Sequence, residues 1–142
     1  VGHEPSGKSF NAIQLNPKGL PHNPLINSGA IMMASLIRPD LQESNRFSYV
    51  TKFWQKLAGG KRITYDNTIF LSERNTADTN YALAYLMKSK GAFPGNSKID
   101  LKETLEFYFQ CCSLQADCDF MSVVAGTLAN GGICPLTGEK VL

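Results

Sequence analysis

The sequence is most apolar in the stretch Ala30-Ile-Met-Met-Ala-Ser-Leu-Ile37. Its apolar side chains cover nearly every face of a helix, and a helix of that kind must be surrounded by protein. Asn23 before Pro24 can cap its start, or Asn27 can do so instead. Pro39 ends it. The stretch therefore predicts the central helix of the molecule.

Outward from this helix, the sequence predicts five further helices and little strand. Each is marked by a capping residue, an apolar stripe at helical spacing or a glycine after its last turn. One alternating stretch, Phe10 to Leu15, is either a strand or an extended loop. No repeat or linker divides the chain, so we expect one mainly α-helical unit. The five helices are expected from about Ser44 to Leu57, after Asn67, from about Thr76 to Lys90, after the cap Asp100, and from near Asp119 to Asn130.

Composition and charge exclude two classes of partner. Of the 142 residues, 43% are apolar, which is enough for one buried core, and the formal net charge is only +2. So small a charge gives no field that would gather nucleic acid or an anionic membrane. The longest apolar stretch is also shorter than the roughly 20 residues of a membrane-spanning helix. We expect no nucleic-acid partner and no membrane.

The four cysteines and two histidines do not form a metal-site pattern. Cysteines 111, 112, 118 and 134 lack Cys-x-x-Cys spacing. Cys111 and Cys112 are adjacent on a predicted helix and point to different sides. We expect reduced, mostly buried thiols and no metal, and His3 and His22 are given no role because each stands alone in loop sequence.

Four polar residues are candidates for a functional site, and each also has a purely structural explanation. Asn27 can be a helix cap, and Glu73 and Asn80 flank a capping turn in which an acidic residue is normally solvated. Tyr108 lies among aromatic neighbours, as core residues do. The 142 residues contain no Ser-x-x-Lys, the pattern that places a nucleophile and its base on one helical turn.

Five short motifs follow one another along the whole chain. They are Gly2-His-Glu-Pro-Ser-Gly-Lys-Ser-Phe-Asn11, Pro21-His-Asn-Pro-Leu-Ile-Asn-Ser-Gly-Ala-Ile31, Ser72-Glu-Arg with Asn80, Phe107-Tyr-Phe-Gln-Cys111, and Thr127-Leu-Ala-Asn-Gly-Gly-Ile-Cys-Pro-Leu-Thr-Gly-Glu139. In this order and spacing they resemble the animal phosphate-activated glutaminases, which are serine-dependent amidohydrolases.

The resemblance implies an α/β fold like that of the serine β-lactamases and penicillin-binding proteins, of which this chain is a mainly α-helical segment. Residues 1–142 would be an internal portion of one catalytic domain. The Ser-x-x-Lys that supplies the nucleophile and base would lie upstream of Val1, and the oxyanion-hole segment downstream of Leu142. The isolated chain is then expected to be inactive.

The same resemblance implies a role for each candidate residue. Asn27 and Asn80 would bind the carboxylate of L-glutamine or of the product L-glutamate, and Glu73 would hold the ammonium. Tyr108 would pass protons beside the missing serine and lysine. The reaction would hydrolyse L-glutamine to L-glutamate and ammonia through a serine acyl-enzyme, with no metal or organic cofactor.

The resemblance also implies a homodimer or homotetramer, activation by phosphate, and a mitochondrial location if the chain is from an animal, or otherwise a cytoplasmic one. The predicted helix from Thr76 to Lys90 is apolar at every position from 81 to 87. We expect it in a subunit contact, although burial within an intact domain explains the pattern equally well on sequence alone. The loop from Phe10 to Pro21 would link that contact to Asn27.

Two alternatives remain open. The chain could belong to a non-catalytic helical assembly or regulatory module that keeps the family pattern. It could also belong to another serine acyl hydrolase of the same fold, such as a β-lactam-interacting protein. The combination of Asn27, Glu73 and Asn80 opposes the second alternative, because β-lactams carry no ammonium group that would require it.

Overall fold

The computed structural model describes residues 1–2, 7–94 and 100–142, so the prediction for His3 lies outside the described residues. The mainly helical prediction is confirmed, and the five further helices lie close to their expected positions. The elements of the described chain are α1 (Asn27–Leu36), α2 (Glu43–Leu57), β1 (Thr64–Tyr65), α3 (Asn67–Asn75), α4 (Asp78–Ser89), α5 (Leu101–Cys112), β2 (Leu114–Gln115) and α6 (Cys118–Ala129).

Aspartate side chains cap three of the helices. Asp100 Oδ1 accepts hydrogen bonds from the backbone N–H groups of Lys102 at 2.8 Å and Glu103 at 3.1 Å, as the sequence predicts for the start of α5. Asp66 and Asp117 act in the same way on α3 and α6. These caps fix where α3, α5 and α6 begin.

The start of α1 is different, and both caps predicted for it are wrong. Asn27 is the first helical residue, and no side chain caps the helix. Asn23 Oδ1 accepts from the backbone N–H of Leu25 at 3.0 Å, which closes a turn before the helix. Asn27 cannot serve as the cap because its side chain bonds to α4 and α5 instead.

The core forms around α5. This helix packs against α1, α2, α3 and α4, and its residues Leu105, Phe107 and Phe109 are fully buried. By contrast, α1 packs against α4 and α5 and leaves Met33 and Leu36 exposed. The prediction that α1 is the central helix is therefore wrong, because two neighbouring helices do not cover its whole circumference.

A short antiparallel ladder ties α3 to the end of α5. β1 pairs with β2, with Thr64 opposite Gln115, and the backbone N–H of Asp66 donates to the Ser113 carbonyl at 2.9 Å. Because β1 precedes α3 and β2 follows α5, the ladder holds the two helices together. The stretch from Phe10 to Leu15 has no strand partner among the described residues, so it is an extended loop.

All four cysteines are free, and fewer are buried than expected. Cys134 is buried and Cys111 half-buried, whereas Cys112 and Cys118 are exposed. The two exposed thiols stand at the end of α5 and the start of α6. In the part of the chain that the structure describes, no acidic, histidine and cysteine cluster could hold a metal ion. The described helices also include none with the length and apolarity to cross a membrane.

Candidate active site

The four candidate residues line one cavity of about 310 Å³. Asn27 comes from the first turn of α1, Glu73 from α3, Asn80 from α4 and Tyr108 from α5. Four helices, the first starting at Asn27 and the last ending at Cys112, therefore bring the predicted set to one place. The other lining residues are Phe10, Asn11, Thr76, Thr79 and Cys112.

Asn27 is the centre of a hydrogen-bond network at this cavity. Its Nδ2 donates to Asn80 Oδ1 at 2.9 Å and also to Asn11 Oδ1. Its Oδ1 accepts from the hydroxyl of Tyr108. Asn27, Asn80 and Tyr108 are all buried, and each contributes to the network, as buried polar groups must.

The surroundings keep Tyr108 a neutral phenol. Burial raises the pKa of its hydroxyl well above the usual range, and the neighbouring Cys112 and Glu73 side chains act in the same direction. The centroid of its ring also lies 5.8 Å from that of Phe109. A fixed neutral hydroxyl can donate one proton and accept another hydrogen bond.

Glu73 supplies an acidic group to the cavity wall. The residue is half-buried on α3, and none of the ion pairs in the described ranges involves its carboxylate. Glu73 lies within α3 and not in a turn, and it lines a cavity shared with three other helices. Its carboxylate is therefore available to a cationic ligand group.

Comparisons with known proteins identify the family. The glutaminase family model matches residues 1–142. The chain belongs to the glutaminase family. It is 46% identical over 142 residues to the mitochondrial liver isoform of glutaminase from Rattus norvegicus, and these cover all of this chain and 23% of that protein. It is 40% identical over 145 residues to glutaminase 2 of Clostridium perfringens, and these cover all of this chain and 46% of that protein.

A solved structure agrees with these sequence relatives. A Bacillus glutaminase crystallised in 4.3 M NaCl superposes with a TM-score of 0.87 and 31% identity, covering 99% of this chain and 46% of that one. The fold of this glutaminase chain is thus a mainly helical part of the serine β-lactamase-like fold. The chain spans less than half the length of each of these relatives.

A glycine lets the loop before α1 approach the site of this glutaminase chain. A Cβ atom on Gly29 would lie 1.8 Å from the carbonyl oxygen of Asn23, so no other residue fits there. The backbone N–H of Asn27 in turn donates to the Phe10 carbonyl at 3.0 Å. The Asn-Ser-Gly sequence thus places Asn27 beneath the loop that carries Asn11.

Sequence reasoning missed five of the lining residues, and Asn11 and Cys112 are two of them. Asn11 lies in loop sequence without any periodic pattern, and only its place in the first family motif marked it. Cys112 follows Tyr108 by four residues on α5, a spacing that puts two side chains on one face of a helix. That spacing was a usable signal for Cys112.

Proposed function

We propose that the complete protein containing this chain is a glutaminase that hydrolyses L-glutamine to L-glutamate and ammonia. One observation carries the proposal: Asn27, Glu73, Asn80 and Tyr108 line a single cavity. The set contains an acidic group for an ammonium, amides for a carboxylate and a neutral hydroxyl for proton transfer. These are the groups that selection of an amino-acid amide requires.

The hydrogen bonds among the site residues determine which amide groups can donate to the substrate carboxylate. Both amide hydrogens of Asn27 are used, one on Asn80 and one on Asn11. The Asn80 amide nitrogen is therefore the first donor to the substrate carboxylate, and Asn27 joins when its bond to Asn11 is released. Glu73 pairs with the ammonium, which gives a charge-assisted hydrogen bond in a partly desolvated cavity.

Tyr108 transfers protons during acyl transfer. In the proposed reaction, a serine hydroxyl attacks the side-chain amide carbon of glutamine, and ammonia leaves with a proton delivered through Tyr108. Water then hydrolyses the glutamyl ester to release L-glutamate. The serine and its lysine base would come from a Ser-x-x-Lys outside these 142 residues, so the isolated chain is expected to be inactive. No residue role here calls for a metal or organic cofactor.

Assembly, regulation and location are proposed by analogy. We infer a homodimer or homotetramer in which the outer edge of α4 lies in a contact, because Tyr85 is 61% exposed there while Leu83 and Met87 are buried. Activation by phosphate is part of the same family analogy. A mitochondrial location is proposed if the chain is from an animal, since the rat relative is named as mitochondrial.

The test separates binding from chemistry in the complete enzyme. Glu73→Gln should raise KM for glutamine with little change in kcat, whereas Tyr108→Phe should lower kcat with little change in KM. Ammonia release is the measurement. If Tyr108→Phe raises KM alone, the proton-transfer role is wrong. A wild-type protein that binds glutamate but releases no ammonia would favour the regulatory module instead.

A further inference from the structure

Asn11 is an exposed loop residue that also lines the candidate cavity. Its side-chain oxygen, Oδ1, accepts a hydrogen bond from Nδ2 of Asn27. Asn27 is only 5% exposed and lies at the centre of the site network. A side chain that water can reach therefore occupies one of the buried amide donors of the site.

The backbone around Asn11 is held independently of the Asn11 side chain. The backbone N–H of Ala12 donates to the Ser9 carbonyl at 3.0 Å, which closes a turn with Phe10 and Asn11 at its centre. The backbone N–H of Asn27 donates to the Phe10 carbonyl, also at 3.0 Å, and joins this turn to α1. Rotation of the Asn11 side chain into solvent thus releases Asn27 Nδ2 without moving the turn.

The hydrogen bonds of Asn27 Nδ2 leave a carboxylate one place to bind. Nδ2 carries two hydrogens, and one of them is donated to Asn80 Oδ1 at 2.9 Å. The other is donated to Asn11 Oδ1. A carboxylate oxygen accepts from the same kind of N–H group as an amide oxygen does, but its charge makes the bond stronger. A carboxylate that binds to Asn27 must therefore displace the Asn11 oxygen, and its charge favours the exchange.

We propose that Asn11 competes with the substrate for Asn27, with its side-chain oxygen occupying in the free enzyme the place that the carboxylate of glutamine or glutamate takes. This inference deepens the proposed function and rests on Asn27 as a donor to that carboxylate. Each binding event breaks one neutral hydrogen bond, and the released Asn11 amide is solvated by water. Asn11 therefore lowers the affinity for the substrate and equally for the product, which favours product release.

The first part of the test compares two variants of the complete enzyme that should act in opposite directions. Asn11→Ala removes the competitor, so KM for L-glutamine should fall about fivefold while kcat stays within about twofold. Asn11→Asp puts a charged acceptor in the same place, so KM should rise about fivefold or more. Loss of a contact that supports the site would instead raise KM in Asn11→Ala. Asn45→Ala on the exposed side of α2 is the control, and it should not change KM.

The second part is a double-mutant cycle with Asn27→Ala. In that background Asn11→Ala should have no further effect on KM, because the donor for which Asn11 competes is gone. An unchanged or raised KM in Asn11→Ala alone overturns the competition, and so does an equal fall in both backgrounds. If Asn27→Ala itself leaves KM unchanged, the carboxylate-binding role of Asn27 fails first, and the competition falls with it.

Calorimetric titration with L-glutamate repeats the comparison without turnover. Asn11→Ala should bind L-glutamate about fivefold more tightly than the wild type does. If the wild-type protein binds L-glutamate but releases no ammonia, the catalytic part of the proposed function fails, and this titration still decides the role of Asn11. Equal affinities in the two proteins would overturn that role.

Discussion

Asn27 Nδ2 donates a 2.9 Å hydrogen bond to Oδ1 of Asn80, a residue 53 positions later in the chain. The bond joins the first turn of α1 to α4, and both side chains are buried. It also sets the orientation of both amide groups, because Asn27 must point its nitrogen to Asn80 and its oxygen to Tyr108. The same contact therefore packs two helices and arranges two donors at the candidate site.

Asn27→Ala in the complete enzyme tests this arrangement. Loss of the amide removes a proposed donor to the substrate carboxylate and frees the Asn80 side chain to rotate, so KM for glutamine should rise about 10- to 100-fold. Steady-state ammonia release is the measurement. The control is Asn45→Ala on the exposed side of α2, for which KM should not change. An unchanged KM in Asn27→Ala would remove this residue from the substrate site.

The pH dependence of Tyr108→Phe provides a second test. An acid whose pKa is raised on folding keeps its proton to higher pH, so Tyr108 is a neutral phenol across the working range. The ratio of wild-type to variant kcat should be about 100 and constant from about pH 6 to about pH 9. A ratio that titrates with a midpoint near pH 7 would mean that Tyr108 ionises there, contrary to its environment.

Arg46 should prove important for stability. It is 4% exposed, and its guanidinium donates to the carbonyls of Ile37 at 2.9 Å and Ala34 at 2.8 Å while lying 4.0 Å from the Phe107 ring. Arg46→Met keeps a similar volume but removes the hydrogen bond to the Ile37 carbonyl and one of the two to the Ala34 carbonyl, which also accepts from the Ile37 backbone N–H, and with the lost contact to Phe107 this should cost about 3 kcal/mol.

Calorimetry of the complete enzyme is the measurement for Arg46→Met, and the melting temperature should fall by about 5 °C or more. Arg62→Met changes an exposed arginine and serves as the control. Equal melting temperatures in the two variants would show that the buried guanidinium contributes nothing to stability.

The helix boundaries that the sequence predicts correctly depend on interactions between residues that are neighbours in the chain. The Asp100 cap and the glycines after α2 act on neighbouring backbone, so their effect was visible in the residue order. The predicted Asn27 cap does not form, because the Asn27 side chain makes hydrogen bonds to residues far away in the sequence. An asparagine at a helix start can bond to its own backbone, but here α4 and α5 offer it buried partners.

The central position of α5 likewise could not be predicted from the local sequence pattern. Its sequence carries Phe107, Tyr108 and Phe109 in succession, so apolar periodicity alone did not rank it above α1. The β1–β2 ladder has two residues in each strand, which is too short for an alternation signal. The site residues were assigned by family resemblance, and composition alone had favoured structural explanations for them.

The outer edge of α4 gives a prediction about assembly. Tyr85→Lys adds a charge to an exposed aromatic residue, so it should lower the mass of the complete enzyme in solution without unfolding it. Light scattering and circular dichroism are the two measurements. Met121→Lys alters an exposed apolar residue on α6 and is the matched control. An unchanged mass for Tyr85→Lys would place this edge of α4 outside any subunit contact.

The central claim is that Glu73 recognises the substrate ammonium, and one comparison tests it most directly. Glutaramate keeps the amide and carboxylate of glutamine but lacks the ammonium. Wild-type enzyme should prefer glutamine over glutaramate by about 100-fold or more in kcat/KM, and Glu73→Gln should reduce that preference to a few-fold by losing activity on glutamine. Asp119→Asn, an exposed acid on α6, should keep the full preference. An undiminished preference in Glu73→Gln would show that Glu73 does not recognise the ammonium.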